Sequence, residues 1–138
     1  MISPMEKVLG IGGVFFRARD RKALARWYRD HLGLPVDEEW CMAVLPLEHP
    51  DDRESARTVW SAFAHDTDYF GRPENAFMVN YRVRDLRAML DQLRAAGCDV
   101  DDRTEESELG KFGWVTDPEG NRVELWEPPD QVPQPPQD

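Results

Sequence analysis

Glu124 is the residue from which chemistry can be built. It stands in the run 122–126, where strand alternation puts Trp126 on the same face. The same parity joins Thr58 to Trp60 in residues 58–63. It joins Phe15 and Arg17 to Gly13 in residues 11–19, and Asn80 and Arg82 to Met78 in residues 77–83. Two arginines, an amide, an acid and aromatic rings suit a small organic ligand with an anionic or carbonyl group. A carboxylate in such company can also move a proton next to a carbonyl that Arg17, Arg82 or Asn80 polarises. Each residue has a plainer reading too. Glu124 paired with an arginine does no chemistry, and arginines at strand ends face solvent or neighbouring acids.

Other chemistries find less support. Gly10, Gly12 and Gly13 precede a strand, whereas a phosphate-binding glycine loop follows one and opens a helix. His31 falls on a helix, and His49 and His65 fall in turn-rich stretches. No Ser/His/Asp or Cys/His set can be assembled from them.

The elements that must position these residues come in two copies. Residues 14–24 and 79–89 align at an offset of 65, with Val, Arg, Arg, Asp and Ala coinciding and Asp20 falling on Asp85. Past the helices, Gly33 answers Gly97 with a slip of one residue. Asp20 and Asp85 are natural N-caps, and the glycines natural stops. Between caps and stops, Leu24, Trp27, Tyr28, His31 and Leu32 recur at helical spacing, as do Leu86, Met89, Leu90 and Leu93. Strands are expected over residues 11–19, 43–47, 58–63, 77–83, 112–116 and 122–126. The last two are joined by Asp117-Pro118-Glu119-Gly120-Asn121, a strong turn signature. Residues 65–75, rich in Asp, Gly and Pro, read as a surface connection between the halves. A single domain is expected over residues 1–128, made of modules 8–64 and 76–128. Residues 129–138, dominated by Pro and Gln, read as a disordered tail.

Composition narrows the partners. A formal charge of −10 argues against nucleic acid and against an anionic membrane surface. No apolar run reaches the length of a membrane span. Cys41 and Cys98 lack CxxC spacing and are expected as reduced thiols of a cytoplasmic protein.

These features together resemble a known family. A strand ending in Asp20, a helix running into Trp27 and Tyr28, then Leu32-Gly33-Leu34, resembles the opening of a glyoxalase/bleomycin-resistance/extradiol-dioxygenase module, the vicinal oxygen chelate superfamily. The segment from Asp117 to Leu125 is similar to that superfamily's second-module hairpin. The resemblance implies an α+β fold: two tandem βαβββ modules forming a cup-shaped mixed sheet, with helices on its convex side, usually paired as a homodimer. It also implies up to four metal ligands, on the first and last strand of each module. Carried onto this chain, those positions are Gly13, Thr58, Met78 and Glu124. Glycine has no side chain and Met is a soft thioether, so Glu124 is the strong ligand that remains. One carboxylate does not fix a divalent ion against water, and no metal or other cofactor is expected.

The expected function is binding of a small organic molecule in the cup, lined by Phe15, Arg17, Thr58, Trp60, Met78, Asn80, Arg82 and Trp126. The alternative is a metal-independent lyase or isomerase with Glu124 as general base.

Overall fold

Asp20 and Asp85 cap two helices in the same way. In the computed structural model, which describes residues 13–14, 17–53 and 56–130, Asp20 Oδ1 accepts from the Ala23 N–H at 3.0 Å and opens α1, Arg21–Leu32. Asp85 Oδ1 accepts from the Ala88 N–H, also at 3.0 Å, and opens α2, Leu86–Ala95. Such a cap satisfies one of the donors that a helix start leaves unpaired. Gly33 and Gly97 follow the two helices with φ of 72° and 77°, the left-handed turn that glycine makes without steric cost. The internal repeat is therefore a repeat of local structure.

Each helix buries one stripe. Leu24 and Tyr28 of α1 join Leu86, Leu90 and Leu93 of α2 in one core with Val115, Val123 and Leu125. The two halves thus share a single interior.

The second half supplies the main sheet. Its strands are β3 (Val79–Arg82), β4 (Asp99–Val100), β5 (Glu105–Ser107), β6 (Gly110–Thr116) and β7 (Arg122–Glu127). They are numbered after β1 (Val36–Asp37) and β2 (Met42–Ala43), an antiparallel pair of the first half. The order is β3-β7-β6-β4, with β5 also on β6. β3 runs parallel to β7, and the other pairs are antiparallel. Strand, helix and returning strands form the βαβββ plan, extended by β5, and the whole is a mixed α+β structure.

Alternation divides this sheet cleanly. Tyr81, Val115, Val123 and Leu125 pack with the helices. Asn80, Arg82, Phe112, Trp114, Glu124 and Trp126 take the opposite parity, with Asn80 and Trp114 both registered on Glu124 and Phe112 on Trp126. The face that carries Glu124 is the one turned away from the helices.

The first half departs from expectation. Residues 44–47 and 58–63 are not strands, and neither are positions 13, 14, 17 and 18 of the strand expected over 11–19. Residues 11–12 and 15–16 lie outside the described residues, as do 131–138 of the expected tail. Apolar alternation favours a strand only where an edge is available to pair with it, and β1 with β2 engages just Val36, Asp37, Met42 and Ala43. Trp40, Val44, Leu47, Val59 and Trp60 are left exposed.

Candidate functional site

Glu124 lies in the middle of β7, buried to 8% exposure between the parallel strand β3 and the antiparallel strand β6. A buried carboxylate must find donors, and it finds two. The Tyr69 hydroxyl donates to Oε1 at 2.6 Å, and the Asn80 amide Nδ2 donates to Oε2 at 2.9 Å. Asn80 arrives by strand register. Tyr69 comes from the connection between the halves and lies over the sheet face, its ring edge-on to Trp114 at 5.8 Å and stacked on Phe63 at 5.4 Å.

Trp114 is fully buried directly opposite Glu124. Its indole N–H makes no hydrogen bond of good geometry among the described residues. Arg122 lies over the same ring at 5.1 Å while its Nη2 meets Asp101 at 3.1 Å. The Arg103 backbone N–H, and then the Arg122 guanidinium, hold Asp101 below the usual carboxylate range.

All three tyrosines are held protonated. Burial pushes the Tyr69 phenol well up, and its hydrogen bond to Glu124 adds to the rise, with the adjacent Trp114 N–H opposing it slightly. Burial, then the nearby Asp117 carboxylate, raises Tyr28 strongly and Tyr81 to about 12. An unfolded phenol ionises near pH ~10. The stability these groups support is complete below that pH and falls as pH rises beyond it, because the unfolded chain sheds protons that the folded one retains. Phenolate absorbance should therefore appear only together with loss of circular dichroism. Phenolate forming near pH ~10 with the fold intact would overturn this assignment.

A groove of about 480 Å³ opens on the far side of Tyr69, between that ring and the β5–β6 hairpin. Leu109 and Phe112 form its apolar wall, and Glu105, Glu106 and Ser107 its polar one. Phe112 is held by stacking on Trp126, whose Nε1 donates to the Leu109 carbonyl at 2.8 Å. The volume suits a small organic molecule.

A family model described as a glyoxalase-like domain matches residues 13–126. The chain belongs to that family. With it the chain belongs to the vicinal oxygen chelate superfamily. A glyoxalase/bleomycin resistance protein/dioxygenase domain from Frankia sp. EAN1pec superposes with a TM-score of 0.57 at 16% identity, covering 89% of this chain and all of that one. The trypanothione-dependent glyoxalase I of Leishmania major aligns at 0.48 with 19% identity over 81% of each chain. No curated protein is significantly similar to the chain.

Within this glyoxalase-like domain the expected site residues are unevenly gathered. Glu124 and Asn80 meet. Trp126 braces the groove wall from behind. Arg82 turns instead to the first half, where it pairs with Asp52 at 2.8 Å and donates to the Arg57 carbonyl at 2.9 Å. Trp60 is 81% exposed, and Thr58 and Arg17 are exposed as well. Met78 is half-buried just before β3. Phe15 lies outside the described residues. Sequence reading missed Tyr69, Phe112 and Trp114. The signal available for the first was an aromatic pair, Tyr69-Phe70, set in an otherwise polar connection.

The superfamily's metal can be tested against these donors. Both oxygens of Glu124 already accept from Tyr69 and Asn80. Among the described residues no three His, Cys, Asp or Glu side chains lie together in a way that would hold an ion. The described residues do not fit a divalent cation, which needs several oxygen or nitrogen ligands at once. Both cysteines are free thiols, and no described helix is long and apolar enough to cross a membrane.

Proposed function

We propose that this glyoxalase-like protein binds a small organic molecule in the groove beside Tyr69, with Glu124 behind the ring, and does so without a divalent ion. The observation that carries this reading is the Tyr69–Glu124–Asn80 cluster, a buried carboxylate held by hydrogen-bond donors at the edge of a ligand-sized groove. Cellular placement in the cytoplasm agrees with two free thiols.

The binding unit proposed is a homodimer. Residues 40–47 carry no charge, and Trp40, Val44 and Leu47 stand exposed there, with Val59 and Trp60 exposed further on. Apolar surface of that extent on a soluble chain marks an interface. Native mass spectrometry reads both claims together. The expected species is twice the 16.0 kDa chain, free of stoichiometric metal, and chelator should leave its thermal stability unchanged. A monomer at micromolar concentration defeats the dimer, and one ion per chain lost on Glu124→Ala defeats the metal-free reading.

A second reading is favoured by the 2.6 Å hydrogen bond itself. A tyrosine and a carboxylate in such contact form an acid–base pair, and Glu124 would take a proton from carbon beside a carbonyl whose oxygen Tyr69 or Asn80 holds. The protein would then be a metal-independent lyase or isomerase. Glu124 does not itself line the groove, so this second reading requires what is bound to reach past the Tyr69 hydroxyl to the carboxylate, whereas the binding reading does not.

A further inference from the structure

We infer that the groove takes an organic cation, an amine or guanidinium carried on an aromatic or aliphatic body; this rests on the binding reading above and names its ligand class. The groove combines two things that a cation requires. Its walls are aromatic, with the Phe112 face fixed by Trp126 and Tyr69 fixed by Phe63 and Glu124. Ring faces attract cations, more so where water is partly excluded. Its charged lining residues are both acids, Glu105 and Glu106. Glu105 pairs in register with Phe112 and so shares the sheet face of Glu124, whereas Glu106 stands opposite Lys111. Tyr69 therefore sits between two carboxylates, and the Glu105 charge reinforces the upward shift of its phenol.

The nearby cations are directed elsewhere. Arg82 pairs with Asp52, Arg122 with Asp101, and the Lys111 ammonium reaches Glu127 at 3.8 Å. Arg103 does approach Glu105, but at 3.8 Å and with the two side chains 70% and 54% exposed. An ion pair of that kind contributes little and yields readily to a better-placed cation. An anionic ligand, by contrast, would enter against Glu105 with Arg82 and Arg122 of the sheet face already engaged.

Three matched probes test this on the isotope-labelled full chain: phenethylammonium, phenethyl alcohol and hydrocinnamate, each titrated to millimolar concentration while the Leu109 and Phe112 amides are followed. The expected result is that the ammonium binds tightest and weakens with added salt. Glu105→Gln should weaken it about tenfold without changing the alcohol. Arg103→Ala should tighten it about two- to threefold by removing the competitor. Equal binding of all three probes at these amides overturns the charge assignment and leaves the groove reading standing. Absence of any shift at these amides with all three overturns the groove reading and this inference with it.

Discussion

Asp117→Ala is expected to destabilise the protein by about 3–5 kcal/mol, the largest effect of any single substitution considered. The Asp117 carboxylate is buried to 4% exposure and accepts four hydrogen bonds. The backbone N–H groups of Glu119 and Asn121 donate to Oδ1, each at 2.9 Å. The Asn121 amide at 2.9 Å and the Tyr28 hydroxyl at 2.8 Å donate to Oδ2. Removing the acceptor unties the β6–β7 turn and takes from the buried Tyr28 hydroxyl its bond to Asp117, which costs far more than a lost surface contact. The damage extends across the halves. Glu119, in the same turn, accepts from the backbone N–H groups of Arg19 and Asp20 at the start of α1. Urea unfolding measures the change. Asp130→Ala, whose side chain is 99% exposed, serves as the silent control. A loss below ~1 kcal/mol, the net worth of one ordinary hydrogen bond, would show that the turn is held by something else.

Glu124→Gln separates the two functional readings. The amide has the shape of the acid, and its new donor can be met if Asn80 turns its own amide oxygen toward it or the Tyr69 hydroxyl rotates to accept. The fold should survive. With the carboxylate gone, Tyr69 loses one of the groups that raise its phenol, so its ionisation should move to lower pH. If the protein only binds, ligand affinity should change by no more than about 1–3 kcal/mol, the range for one charge-assisted hydrogen bond. If it catalyses proton transfer, affinity should hold while turnover disappears, because an amide does not accept the proton. Outright unfolding of Glu124→Gln would make the acid a structural partner and remove both readings.

Much of the fold was written locally. Asp20 and Asp85 announce helix starts, Gly33 and Gly97 announce stops, and the turn from Asp117 to Asn121 announces the β6–β7 hairpin, because each depends on contacts a few residues away. Glu124 and Asn80 were legible as members of one cup; that they stand side by side comes from the β3–β7 register. What the sequence hid depends on distant partners. Tyr69 reaches Glu124 from 55 residues away, out of a connection whose polar composition reads only as surface. Arg82 looked like a ligand contact, since periodicity gives the face a side chain takes but not the acid that meets it; Asp52 does. Residues 44–47 and 58–63 carry strand-forming side chains but pair with no strand among the described residues, so their propensity goes unspent.

The most direct test of the small-molecule site is a crystal structure of the protein as purified from cells, with nothing added and then soaked with phenethylammonium. The expected result is organic density against the Phe112 ring and the Tyr69 edge, with Tyr69 and Asn80 still donating to a metal-free Glu124. A divalent ion coordinated by Glu124, or ligand density confined to the apolar stretch around Trp40 and Leu47 with the groove filled only by water, would contradict it.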